Sequence, residues 1–88
     1  MRKVTLDIRN IETVGELHIY LQYKLDFPAY YGRNLDALYD LLTEMGEEVG
    51  IILLAEGVKG ENAAYLPRLV RVMEDAAQEN EKLHIEIR

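Results

Sequence analysis

Asp36, Asp40 and Glu44 stand four residues apart in a chain of 88. On a helix that interval stacks the three carboxylates on one face. Tyr39 lies beside the row, and Tyr30 and Tyr31 come shortly before it. Two kinds of chemistry use such a row. Paired carboxylates can move protons in an acid-dependent hydrolase, but only inside an enclosed cleft that shifts a carboxyl pKa. Four-residue spacing on an exposed helix supplies no such cleft. The other use is docking. Carboxylates accept charge-assisted hydrogen bonds from arginine, and neighbouring tyrosines offer contact area at small entropic cost. A solvated helix face, with tyrosines that simply cover the core, would have the same composition.

The row works slightly against the stability of the helix that carries it. Like charges at this spacing destabilise a helix by roughly 0.2–0.5 kcal/mol per pair. Asp36 in the first turn suits the helix dipole; Glu44 in the last turn opposes it. No lysine or arginine lies in that last turn to offset it.

Most other catalytic chemistry lacks its residues. Serine and cysteine are absent, so Thr5, Thr13 and Thr43 are the only hydroxyl or thiol nucleophiles besides tyrosine. His18 and His84 are far apart, and neither has a second His or Cys at ligand spacing, so no metal site is expected. Gly57-Val58-Lys59-Gly60 lacks the length and the following Lys-Ser/Thr of a phosphate loop. Glu47 and Glu48 read as solvated loop acids. No cofactor is expected.

The formal net charge is −6, which repels phosphate backbones and argues against direct nucleic-acid binding. The excess is local. Residues 31–56 hold Asp36, Asp40, Glu44, Glu47, Glu48 and Glu56 against Arg33 alone, while the flanking segments are nearly balanced. Such asymmetry marks a partner surface or a solvated face. There is no apolar run long enough to span a membrane, and Met1 to Asp7 has no signal-peptide character. A cysteine-free domain of this size fits a reducing, cytoplasmic home. Apolar residues make up 49%, enough for one packed domain over residues 1–88.

The elements that must position the row follow from periodicity. Val4 to Ile8 alternates as a strand. Thr13, with Glu16 three residues on, opens a helix carrying Val14, Leu17, Tyr20, Leu21 and Leu25 inward; Pro28 ends it. Gly32 offers the positive φ of a tight turn. Asn34 caps a second helix to about Met45, with Leu35, Leu38, Leu41, Leu42 and Met45 on its apolar side. Val49 to Leu54 is continuously apolar and reads as a strand covered on both faces. A connection from Ala55 to Ala64, with room for a short helical turn, leads into a longer helix to about Asn80. Leu66, Leu69, Val70, Met73 and Ala77 face inward there, and Pro67 fits its first turn. Leu83 to Ile87 alternates again. Helices between strands imply right-handed parallel crossovers. The expected fold is therefore α/β, a three-stranded parallel sheet packed with three to four helices.

Tyr30-Tyr31-Gly32-Arg33-Asn34-Leu35-Asp36-Ala37-Leu38-Tyr39-Asp40 closely resembles the signature of the barstar family, intracellular inhibitors of the ribonuclease barnase. The resemblance extends over nearly the whole chain, including the β-α-α-β-α-β order, and is strongest in this stretch. It implies that Asp40 is the central anchor, entering a nuclease active site to meet the arginines and lysine that would hold an RNA phosphate. A carboxylate there mimics a phosphate oxygen. Asp36 matches a second helix acid, and Tyr30 an aromatic that stacks near the catalytic histidine of the enzyme. Asn34 and Thr43 match polar contact positions, Asp75 a glutamate of the acidic patch, and Glu79 a further acid. Tyr31, Gly32 and Tyr39 complete the expected partner surface. Arg33 stands where the family has an acid, Tyr39 replaces a tryptophan, and Met45 stands where another tryptophan lies. Arg33 and Glu44 are expected to tune specificity from the rim.

The expectation is a non-enzymatic inhibitor of a basic extracellular-type ribonuclease, an antitoxin or immunity protein, monomeric when free. The alternative is the same domain reused as an interaction or regulatory module with a non-nuclease partner.

Overall fold

Val4 and Leu6 alternate with Lys3 and Thr5, and this period of two becomes strand β1 (Arg2–Asp7) in a computed structural model that describes all 88 residues. Helix α1 (Val14–Lys24) begins where Thr13 Oγ1 accepts the Glu16 amide and donates to the Glu16 carboxylate, the reciprocal cap the sequence announces. It ends at Leu25, with Asp26 in the left-handed region at φ 57°. Phe27 N–H then reaches Gln22 O and Asp26 N–H reaches Tyr23 O, a Schellman arrangement with aspartate in the usual glycine place. Helix α2 (Leu35–Thr43), strand β2 (Val49–Leu54), helix α3 (Glu61–Glu79) and strand β3 (Leu83–Ile87) complete the chain.

The sheet is parallel, in the order β1-β2-β3. Register sets Val4 beside Ile51 and Ile85, and Lys3 beside Gly50 and His84. Both crossovers step the same way across the sheet, and right-handed connections of that kind deliver every helix to one face. The core lies between that face and the helices. Val4, Leu6, Val49, Ile51, Leu53 and Leu83 meet Leu17 and Leu21 of α1, Leu38 and Leu42 of α2, and Leu69 and Met73 of α3. The shortest dimension of the molecule is 19 Å, room for one helix layer on the sheet and not for two helix layers of about 10 Å each.

One expectation narrows here and two change. The helices number three, the lower end of the expected three to four. The apolar run of β2 is not covered on both faces: Val49, Ile51 and Leu53 are buried, whereas Gly50, Ile52 and Leu54 are only partly so. Their face of the sheet also carries Lys3, Thr5, His84 and Glu86, and no helix crosses it. The third helix starts at Glu61, which leaves Pro67 inside it rather than in its first turn.

The early start of α3 has a tertiary cause. Gly60 caps it at φ 64°, and a β-carbon there would come within 2.7 Å of Glu12 O. Asn62, fully buried, donates to the Ile11 and Thr13 carbonyls. Glu61 accepts the Val14 amide. The Asn62 backbone amide donates to Glu12 O, so the N-termini of α1 and α3 satisfy orphan amides of one another. Pro67 is tolerated because it sits on the exposed side, where water reaches the carbonyl it leaves unbonded.

Candidate acidic docking site

The site rests on the short segment between α1 and α2. Pro28 O accepts from Tyr31 N–H and from Gln22 Nε2, and Gln22 Oε1 accepts from Arg33 Nε. A residue of α1 therefore holds both ends of the segment. Gly32 is needed for space and not for a positive φ. A β-carbon there would lie 3.2 Å from Asn34 Nδ2 and 3.3 Å from Ala37 Cβ. The left-handed residue is Arg33, at φ 55°.

Asn34 is committed to this geometry. Its Oδ1 accepts the Ala37 amide at 2.8 Å and its Nδ2 donates to Gly32 O at 3.2 Å. It ties the Tyr30–Gly32 segment to the first turn of α2, and its second Nδ2 hydrogen and second Oδ1 lone pair remain open on an exposed side chain. Thr43, at the other end, donates its hydroxyl to Asp40 O at 2.9 Å and is half-buried. α2 packs chiefly against α3. Its C-terminal carbonyls at Leu42 and Met45 accept from Asn80 Nδ2 at 3.0 Å each, and Gly46 O accepts from Lys82 Nζ. Those bonds close a helix end that Glu44 makes electrostatically unfavourable.

Tyr30, Tyr31, Gly32, Ala37, Asp40, Leu41 and Glu44 line one open cleft of about 390 Å³. Tyr30 stands 80% exposed above it. Asp40 and Glu44 offer carboxylates to it, and Ala37 and Leu41 give it an apolar floor. Asp36, one turn earlier, is exposed on the same row outside the cleft. None of Asp36, Asp40 and Glu44 has an ion pair within the chain. Charged side chains with no internal partner on a rigid, capped helix can meet cationic groups without first breaking other bonds.

Adjacent tyrosines have opposite fates. Tyr31 is 5% exposed and turns inward, so the expectation of a surface contact from its ring does not fit its placement. Its hydroxyl meets His18 Nδ1 at 2.6 Å, and His18 Nε2 meets the Tyr65 hydroxyl at 2.7 Å. His18 is fully buried. Burial holds its pKa below the usual imidazole value and pushes both tyrosine hydroxyls up. The neutral ring donates through one nitrogen and accepts through the other, which links α1, α3 and the site segment. Phe27 packs on Tyr31 with ring centroids 4.9 Å apart. Sequence reasoning weighed His18 only as a metal ligand, expected none, and assigned it no other role. The signal was its place beside Leu17 on the inward side of α1, because a buried histidine needs two partners.

The remaining expected site residues are more dispersed. Tyr39 is half-buried against the core, as is Met45. Asp75 and Glu79 are exposed on α3. Asp75 lies 3.8 Å from Arg71, a solvated i,i+4 pair of little strength. Glu79 precedes Asn80, whose bonds to Leu42 and Met45 place that end of α3 beside the C-terminus of α2. No group of three or more His, Cys, Asp or Glu residues is arranged to hold a metal ion.

The sheet order, the helix pair and the acidic face together define a protein of the barstar class. The family model described as Barstar (barnase inhibitor) matches residues 1–88, and the chain belongs to that family. It is 39% identical over 82 residues to a Bacillus subtilis (strain 168) protein named "Putative ribonuclease inhibitor YrdF", an alignment covering 90% of this chain and 89% of that one.

Proposed function

We propose that this chain inhibits a basic ribonuclease by seating α2 in the active site, with the Asp40 carboxylate taking the place of an RNA phosphate. The observation that carries the reading is the pairing of the unpartnered Asp40 and Glu44 carboxylates with the exposed Tyr30 around one cleft on a capped helix. Family membership and the name of the Bacillus subtilis relative support the same reading. Asp40 accepts arginine or lysine hydrogen bonds, Asp36 and Glu44 extend the negative field, and Tyr30 stacks against the enzyme. Asp75 and Glu79 contribute at the periphery through α3. Arg33 contacts the rim of its own nuclease and distinguishes that partner from others. Tyr31, Gly32, Asn34 and Thr43 hold this surface in shape, and Tyr39 supports it from the side. The protein works in the cytoplasm, as an antitoxin or immunity partner to a toxin destined for export.

The test is a titration into a basic barnase-type ribonuclease, following RNA cleavage. Stoichiometric inhibition is expected. Removing one partner of a desolvated charge pair costs about 3 kcal/mol or more, so Asp40→Ala should weaken inhibition by roughly a hundredfold or more. No inhibition, or inhibition that survives Asp40→Ala unweakened, overturns the assignment and turns attention to a non-nuclease partner.

A further inference from the structure

Side chains from three parts of the chain meet at His18. Tyr31 Oη lies 2.6 Å from its Nδ1 and Tyr65 Oη 2.7 Å from its Nε2. A neutral imidazole donates from one nitrogen and accepts at the other, so two arrangements compete. With the proton on Nδ1, Tyr31 must accept, and its own hydroxyl hydrogen has nowhere to go. Tyr31 is buried, and its Oη has no second partner in the chain. With the proton on Nε2, Tyr31 donates to Nδ1 and Tyr65 accepts from Nε2. The hydrogen left over is then that of Tyr65, which is only part-buried and can give it to water. Only this second arrangement leaves no buried donor unpaired.

The three attachments are unequal. His18 and Tyr65 stand on α1 and α3, whose backbones are held by their own helical bonds. Tyr31 stands on the irregular segment before α2, which is tied only through Pro28 O, Gln22 and Asn34. When the relay loses a partner, that segment is the part that yields. Next to Tyr31 on it is Tyr30, exposed at the rim of the cleft. On the far side of the relay the Arg68 guanidinium lies 5.3 Å from the centre of the Tyr65 ring, an attraction that keeps the phenol in place.

We propose that Tyr65 is a positioning residue of the acidic docking site: its hydroxyl accepts from His18 Nε2–H, which fixes the ring tautomer that accepts from Tyr31 and so holds Tyr30 at the cleft. Tyr65 itself lines no part of the cleft. The inference rests on the reading of that cleft as the docking surface, and extends its support to α3. Without the Tyr65 oxygen, His18 has a choice of two losses. Keeping the proton on Nε2 orphans it there; moving it to Nδ1 orphans the Tyr31 hydroxyl hydrogen. Either loss is relieved most readily when the Tyr31 segment opens toward water.

Tyr65→Phe removes the hydroxyl and keeps the ring, so it tests this in the full chain. Imidazole nitrogen-15 spectra of the unaltered protein at neutral pH should show a neutral His18 protonated at Nε2. Tyr65→Phe should move it toward the Nδ1–H form. Backbone relaxation should show residues 28–33 more mobile in Tyr65→Phe, with α3 unchanged. Ile85→Ala removes a half-buried side chain of β3 outside both relay and cleft; it costs stability and should change neither readout. From a basic barnase-type ribonuclease, Tyr65→Phe should dissociate roughly threefold to tenfold faster, the loss of one hydrogen bond, and Ile85→Ala should not. The free-chain readouts decide the role of Tyr65 even where the unaltered chain inhibits no ribonuclease, a result that removes only the nuclease reading. An Nδ1–H tautomer in the unaltered chain, a tautomer or a segment unmoved by Tyr65→Phe, equal loosening in Ile85→Ala, or inhibition by Tyr65→Phe as tight as the parent's would each overturn the proposal.

Discussion

His18 shows how much one side chain does for a site it never touches. It bridges Tyr31 and Tyr65, and Tyr31 carries the segment that presents Tyr30. Buried neutral, it has a lowered pKa in the folded chain, whereas the unfolded chain titrates it near 6.5. Between those two values the unfolded state binds the extra proton, so stability is full above about pH 6.5 and declines as pH falls through the window below. Melting temperatures at constant ionic strength should fall from about pH 6.5 downward, and His18→Gln should flatten that slope. Equal slopes in both proteins would remove His18 as its source. Asp7 acts in a lower window. The Arg9 side chain holds its carboxyl at about 2, so its contribution is present above the ordinary value of 3.8 and disappears as pH falls toward 2. At this scale the sequence was half legible. Helical spacing placed Leu17 and Leu21 inside and Asp36, Asp40 and Glu44 outside, and should have placed His18, between the first two, inside with them. It could not name Tyr31 and Tyr65, which lie 13 and 47 residues away. Nor could it separate Tyr30 from Tyr31, because an irregular segment has no period to decide which neighbour faces in.

Helix α2 is an element whose charges work against its own stability. Its last turn has no basic residue and its first has Asp36. Glu44 stands at the negative end of the dipole, four residues from Asp40. Replacing it should therefore help the fold and hurt the function. Glu44→Lys removes a like-charge pair and adds a favourable end charge, each worth a few tenths of a kcal/mol to about 1 kcal/mol. Urea unfolding should give a slightly higher midpoint, while inhibition of the cognate ribonuclease weakens, mainly through slower association. A variant that loses stability, or inhibits as fast as the parent, would show that Glu44 is not held there for a partner. Element types were read well because β2, β3 and the start of α2 carry strong period and cap signals. The start of α3 was misread. Pro67 pulled it late, since proline suits a first turn, and the pull of Asn62 on Ile11 and Thr13 is tertiary. The coverage of β2 was misread for a similar reason. A continuous apolar run signals two covered faces, but strand order decides whether a second helix layer exists.

At the scale of the whole molecule, order β1-β2-β3 leaves one sheet face without helices and sends α2 to the far side, docked on α3. The chain carries −6 overall, and residues 31–56 hold most of it. A field of that kind acts over about 10 Å at 0.1 M salt and about 30 Å at 0.01 M. It therefore draws a basic enzyme toward α2 before any contact is made. Steered association rates fall steeply with ionic strength, while dissociation, governed by close contacts, changes less. For the cognate ribonuclease, raising salt from about 0.01 M to about 0.3 M should slow association by roughly tenfold or more and leave the dissociation rate within a few-fold. Asp36→Asn and Glu44→Gln, which reduce the field without touching the anchor, should flatten that dependence. Stopped-flow mixing reads both rates. An association rate insensitive to salt would mean that the acid row is merely a solvated face, and that recognition rests on shape around Tyr30 instead.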